Sequence, residues 1–239
     1  MLRIIKTAFF PKTCAACGAV IDDEEYFCDY CNAFLSVPIK DRLCIRCGCK
    51  IKDCQCKSRV FYFDGLCAAF YNDTVARKAM YSFKFNRRKE VGLFFAQRMA
   101  LTVKQSFCDI DFDIVTAVPM SYFAEKRRGY NQSSVLAEKI GKILEIPYYK
   151  DILYARHKKT AQHKVSFKNR FRNVENLYYT DKKLNGKTVL LVDDIKTSGA
   201  TLSECAKQLY KAGADKVYCV TGLITSIKKG NTNGSRNRN

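Results

Sequence analysis

The chain has 239 residues, 47% of them hydrophobic and 27% charged, which suits one ordinary domain with room for a small extra module and excludes disorder throughout. Its 42 Lys and Arg face only 23 Asp and Glu, a formal charge of +19, so a polyanion belongs among its partners unless the excess serves solubility alone. No window approaches the roughly 18 apolar residues that cross a bilayer, and the MLRIIKTAFFP start is too short in apolar residues for a secretory signal. The expectation is a cytoplasmic protein with no transmembrane segment.

Residues 1–58 read as a metal module. Nine of the 13 cysteines fall between Cys14 and Cys56, and in a reducing compartment such clustering points to metal rather than disulfides. Cys14-x-x-Cys17 and Cys28-x-x-Cys31 are two knuckles separated by ten residues, a spacing that lets four thiolates close a tetrahedron around Zn2+. The second set, Cys44-x-x-Cys47, Cys49 and Cys54-x-Cys56, offers five thiols for four positions. Cys44, Cys47, Cys54 and Cys56 are the candidate ligands, but the short Cys54-x-Cys56 step leaves open whether Cys49 or Cys56 completes the site and whether a second ion binds. Four thiolates leave no position for water, so the zinc is expected to be structural. Cys67, Cys108, Cys205 and Cys219 stand singly among apolar neighbours and read as buried thiols.

Residues 59–227 alternate between strand and helix patterns, as in an α/β domain, and 228–239 form a basic tail with nothing to bury. A helical region runs from about Thr74 to Lys104 with a break near Asn86. Between Arg77 and Arg98 it holds seven Lys or Arg and one acid, interleaved with Tyr81, Phe83, Phe85, Phe94 and Phe95. Cations and rings together suit single-stranded DNA, although the helical spacing of the phenylalanines favours a core role. Apolar runs at 112–119, 187–194 and 216–224 have the character of buried parallel strands. Val135, Leu136, Ile140, Ile143 and Leu144 follow helical spacing, as do Leu202, Cys205, Ala206 and Leu209, with Gly213 placed to end the second helix.

The most informative segment is VLLVDDIKTSGATLSECAKQL at 189–209. An apolar strand delivers Asp193 and Asp194 into a loop of small residues that opens an amphipathic helix. Backbone amides around Gly199 and at the helix start can converge on a phosphate, with the Thr197, Ser198 and Thr201 hydroxyls adding donors. The carboxylate pair repels phosphate and suits neutral ribose hydroxyls instead. Asp193, Asp194, Lys196, Thr197, Ser198, Gly199, Ala200 and Thr201 are therefore candidate binding residues. Neither a G-x-x-x-x-G-K-[ST] loop nor a G-x-G-x-x-G after a strand is present.

This stretch resembles the phosphoribosyl pyrophosphate (PRPP) motif of type I phosphoribosyltransferases. VPMSYFAEKRRGYNQSSVLA at 118–137 is similar to the Val-Pro and Arg-Gly-Phe-Asn-Gln signature of the ComF family (ComFC and GntX-like competence proteins), with Tyr130 in place of Phe. RHKKTAQHKVSFKNRFRNV at 156–174 resembles that family's Arg, Thr, Gln and Arg-Asn-Val pattern. The resemblance implies a Rossmann-like, mostly parallel sheet behind a double zinc ribbon. It implies a pyrophosphate loop at Met120, Ser121, Arg127, Arg128, Gly129, Asn131 and Gln132, and a flexible hood carrying Arg156, Thr160, Gln162 and Arg172. Mg2+ would accompany PRPP, and any turnover would be attack on the ribose C1′ with pyrophosphate leaving, helped by positioning and electrostatics rather than by a nucleophilic side chain. The implied setting is DNA uptake in natural transformation, with single-stranded DNA and a helicase-like partner at the inner membrane. The alternatives are a nucleobase salvage enzyme, and a non-catalytic DNA-binding adaptor whose PRPP pocket is a sensor; whether turnover occurs is left open.

Overall fold

The computed structural model describes residues 11–54, 56–85, 88–156 and 170–225. The basic tail and most of the hood, with Thr160 and Gln162, lie outside them. Four strands, β1 (Gly65–Tyr71), β2 (Ile114–Ala117), β5 (Thr188–Lys196) and β6 (Lys216–Ile224), form a parallel sheet in the order β1-β6-β5-β2. A separate antiparallel pair joins β3 (Tyr154–Ala155) to β4 (Tyr178–Tyr179). The helices of the α/β part are α2 (Thr74–Phe85), α3 (Lys89–Ser106), α4 (Tyr122–Arg128), α5 (Gln132–Leu144), α6 (Arg170–Val174) and α7 (Ala200–Lys211), and a five-residue helix, α1 (Asp29–Ala33), sits in the cysteine module. Among the described residues, no helix is long and apolar enough to cross a membrane.

The sheet is covered on both faces, which is why its strands are nearly continuous apolar runs. Alternation along β5 divides the interior: Leu190 and Val192 pack with Phe70, Phe95, Leu136 and Val220, while Val189 and Leu191 pack with Leu202, Cys205, Leu209 and Val217. Each half of the cysteine module extends one of these cores. Cys14, Phe27 and Cys31 join the first, and Cys47 and Cys49 join the second together with Phe61 and Phe63. Hydrogen bonds fasten both halves: the Arg88 guanidinium donates to the carbonyls of Thr13 and Cys14, and the Leu66 amide at β1 donates to the Ile45 carbonyl.

The helical stretch is divided as expected, with α2 ending at Phe85 and α3 beginning at Lys89, and Gly213 follows α7 with φ +89°. One expectation fails: Cys67, Cys205 and Cys219 are buried, but Cys108 is exposed. It lies just beyond α3, where the chain turns toward β2 past acidic Asp109.

The two halves of the cysteine module repeat one backbone pattern. The Cys14 amide donates to Ala19 at 2.7 Å and the Cys44 amide to Cys49 at 2.8 Å, around Gly18 and Gly48 at φ +82° and +68°. Their surroundings differ. A Cβ at Gly18 would meet nothing within 4 Å, whereas one at Gly48 would lie 2.3 Å from Leu66 Cδ2 and 3.0 Å from its carbonyl. Gly18→Ala is therefore expected to cost about 1 kcal/mol, the left-handed penalty alone. Gly48→Ala adds overpacking and should cost about 3 kcal/mol in all. Urea melts of the two variants measure the difference, and equal losses would refute the packing argument.

Candidate functional site

Strand β5 carries Asp193 and Asp194 to the carboxyl end of the sheet, where β2 also ends. Between them and α2, α4 and α5 opens a cavity of about 460 Å3, whose lining includes Lys84, Ser121, Arg128, Arg156, Asp194 and Thr201. This is the crevice in which open α/β sheets bind ligands.

The two aspartates play different parts. Asp193 is buried, and its Oδ1 accepts from Ser133 Oγ and from the Asp194 amide, each at 2.9 Å. Burial first, and the adjacent Asp194 charge second, push the Asp193 carboxyl up to about 7, against the pull of those hydrogen bonds and of Lys84. Asp194 is partly exposed toward the cavity and forms an ion pair with Lys84, the penultimate residue of α2.

Because Asp193 holds its proton more tightly in the folded chain than its ordinary value of 3.8, its stabilising contribution is complete below about pH 4 and lost as pH rises through about 7. Asp193→Asn removes that dependence. The melting temperature of the variant relative to the parent chain should climb between pH 5 and 8, and a flat difference would refute the assignment.

The loop after β5 turns sharply at Gly199, φ +81°, where a Cβ would meet Phe61 Cε1 at 3.0 Å. Ser198 is buried and its Oγ accepts from the Ala200 amide at 3.3 Å. Thr197 is exposed, and Ala200 is buried at the start of α7. Of the residues proposed from this motif, Asp193, Asp194 and Thr201 line the cavity. Lys196 does not: it is buried on the opposite side, its Nζ 3.0 Å from Cys49 Sγ.

The stretch read as a pyrophosphate loop contributes in two ways. Met120, Ser121 and Arg128 line the cavity, as does Asn131, which is buried. Asn131 also ties the site together: its Nδ2 donates to Val118, and its Oδ1 accepts from the Ser133 amide as the N-cap of α5. Gln132 is buried and accepts from Arg128 at 3.1 Å. Gly129 closes α4 at φ +85°, and Arg127 is exposed away from the lining. Part of the stretch is thus a helix, α4, and Asn131 and Gln132 hold α5 against β2 and α4.

Of the hood residues within the described chain, Arg156 lines the cavity with its guanidinium 4.8 Å from the Tyr179 ring centre. Arg172 is exposed on α6. Lys84, Ser133 and Tyr178 were not singled out from sequence as site residues, yet all three line the cavity. Lys84 had a signal, standing between buried Phe83 and exposed Phe85 in the basic helical stretch. Burial raises the Tyr178 phenol well above its usual value, so it remains a neutral donor.

The cysteines form two groups, Cys14, Cys17, Cys28 and Cys31, and Cys44, Cys47, Cys54 and Cys56, with sulphurs within 4.8 Å of one another in each. Zn–S bonds of about 2.3 Å require tetrahedral edges of about 3.8 Å. The Cys17–Cys28, Cys44–Cys56 and Cys47–Cys54 separations are 3.7, 3.8 and 3.9 Å. The clusters fit structural zinc, and Cys56 rather than Cys49 closes the second.

The family described as Double zinc ribbon domain matches residues 5–70, and that described as Phosphoribosyl transferase domain matches residues 90–234. The chain is similar to DNA utilization protein YhgH of Escherichia coli strain K12, with 27% identity over 146 residues, 59% of this chain and 64% of that protein. It is similar to Competence protein F of Haemophilus influenzae, with 33% identity over 114 residues, 46% of this chain and 49% of that protein. It is also similar to Competence protein ComFC of Bacillus subtilis, with 27% identity over 145 residues, 60% of this chain and 56% of that protein. The matches span between 49% and 64% of these relatives' own lengths.

Proposed function

The chain belongs to the phosphoribosyl transferase domain family, with a double zinc ribbon ahead of that domain, and from that premise we propose that it binds PRPP or a related ribose phosphate in the cavity beside Asp194, in the service of single-stranded DNA handling. The observation that carries this reading is the cavity's division of charge. Asp194 presents a carboxylate suited to ribose hydroxyls, while Lys84, Arg128 and Arg156 present cations suited to phosphate oxygens. The positive end of the α7 dipole faces the same loop.

Asp193 and Asp194 offer the hard oxygen donors that Mg2+ takes. The ion would supply charge neutralisation to the pyrophosphate. The chain's own groups orient the ribose at Asp194, donate to phosphate oxygens from Ser121 and Thr201, and balance leaving-group charge from Lys84, Arg128 and Arg156.

DNA handling draws its support from the rim. The Tyr81 and Phe85 rings are exposed with centroids 4.5 Å apart, and the Arg128 guanidinium lies 5.0 Å from the Phe85 ring centre. Exposed rings tilted by 36° to one another, beside an Arg128 that also lines the cavity, offer faces for unpaired bases. Phe83 and Phe95, by contrast, are core.

Isothermal titration with PRPP and Mg2+ tests the ligand; saturable binding that inorganic pyrophosphate competes away is expected, and its absence at millimolar PRPP would refute the pocket assignment. Adding oligonucleotides or free nucleobases and assaying pyrophosphate release separates turnover from sensing. Affinity for single-stranded DNA should fall steeply with salt, and salt-independent binding would contradict the rim's role.

A further inference from the structure

Neither metal coordination nor the cavity absorbs Cys49 and Lys196, and the two meet in the interior. Lys196 is 1% exposed, Cys49 is 4% exposed, and Nζ lies 3.0 Å from Sγ. The backbone pattern of the cysteine module explains how. Cys49 occupies the place that Ala19 takes in the first half, one residue past the turn glycine, with its carbonyl bonded to the first knuckle's amide. There its sulphur stands outside the four-sulphur group. Gly48, without space for a Cβ against Leu66, brings this turn flush to β1.

Lys196 is equally well fixed on its own side. It ends β5, its carbonyl accepts from the Thr225 amide at 2.9 Å, and its Cε would lie 3.4 Å from a Cβ on Gly199. Its stem therefore packs under the turn that opens α7. A buried ammonium requires opposite charge close by. Four thiolates around one Zn2+ carry a net double negative charge, and Cys47, a ligand of the second group, is two residues from Cys49 and wholly buried in the same core.

We infer that Lys196 is a positioning residue that couples the second zinc centre to the phosphate loop: the loaded ribbon holds Lys196 in place, and Lys196 supports the Thr197–Gly199 turn from beneath. The ligand side of this coupling rests on the PRPP reading of the pocket. Linkage makes it reciprocal, so bound ligand should slow zinc loss from the second ribbon by the factor through which zinc there tightens ligand.

The test uses the full, zinc-loaded chain with Lys196→Met, Cys49→Ala and the double variant, following zinc release to a chromogenic chelator and PRPP–Mg2+ affinity by titration. Loss of a charge-assisted hydrogen bond predicts about tenfold faster release from one site and about tenfold weaker ligand binding in Lys196→Met. The double variant should be no worse than Lys196→Met alone. Parent-like zinc release and ligand affinity in Lys196→Met, or full additivity in the double variant, would overturn the inference. If Lys196→Met does not fold, Cys49→Ala, which removes the sulphur that Lys196 meets, carries the same readouts and should shift both in the same direction, and parent-like values would overturn the inference.

Should the parent chain fail to bind PRPP, the pocket reading falls alone. Coupling is then decided by amide exchange across 196–201, which should quicken when Cys56→Ser removes the second zinc and remain slow when Cys17→Ser disables the first. Unchanged exchange in Cys56→Ser would sink it.

Discussion

Asp194→Asn is expected to weaken PRPP–Mg2+ binding about a hundredfold, and Lys84→Met to separate the ligand from its metal. Asp194 is the carboxylate turned to the cavity, and losing two charged acceptor bonds to ribose hydroxyls at roughly 1.5 kcal/mol each gives that factor. Lys84 is bound to Asp194 in the free chain, so a ligand that takes the carboxylate must displace the ammonium, which is then placed to meet phosphate. Lys84→Met leaves the acid pair without its cation. Mg2+ alone should bind more tightly to this variant, whereas PRPP, having lost a cationic partner, should bind about tenfold more weakly. Titrating each variant with Mg2+ and with PRPP–Mg2+ reads both effects. If Lys84→Met strengthens both, Lys84 is merely a plug on Asp194; if it weakens both, its pairing with the acid is not what sets metal affinity.

The opposed fates of Asp194 and Lys196 show where a linear reading stops. Val189–Val192 are buried on both faces, so β5 is legible as an unbroken apolar run. Strict alternation would then put Val192, Asp194 and Lys196 on one face. In the fold Val192 and Ile195 both pack toward the first core, and in the neighbouring strand so do Val220 and Leu223. The alternation slips by one residue beside Asp194 and Gly222. Gly222 permits it, since a Cβ there would meet Met80 at 2.6 Å and the Asp194 carbonyl at 3.0 Å. The slip turns Lys196 to the second ribbon, and no periodicity in β5 alone announces it.

Strand β1 was equally hard to read, because GLCAAFY mixes small and large residues without a period, and its burial comes from both ribbons and α3. The cysteine arithmetic located both metal groups, but the choice between Cys49 and Cys56 required the sheet beneath. The Arg-Gly-Tyr-Asn-Gln stretch was legible as a motif, whereas the internal bonds of Asn131 and Gln132 depend on how β2, α4 and α5, consecutive in the chain, fold back on one another.

Stripping zinc under reducing conditions is expected to lower the melting temperature by at least about 15 °C. In many small metal modules the ion holds only the module together; here Cys14 and Cys31 belong to one core, and Cys47 belongs to the other. Without metal, each group leaves four thiols within 4.8 Å of one another, with Cys14, Cys31 and Cys47 buried, and the short ribbons lose the ion that ties their knuckles together. Even a conservative loss of about 5 kcal/mol corresponds, at about 3 °C per kcal/mol for a chain of this size, to that shift. Calorimetry of zinc-loaded and chelator-treated protein measures it, and a change within about 3 °C would show that the clusters are dispensable to the fold. Metal analysis of single variants sharpens the result: Cys56→Ser should lose one zinc of the two, while Cys49→Ser should keep both, since its sulphur stands outside the four-sulphur group and meets Lys196 Nζ at 3.0 Å. The reverse outcome would exchange the roles of these two cysteines and leave the buried Lys196 ammonium beside a metal ligand.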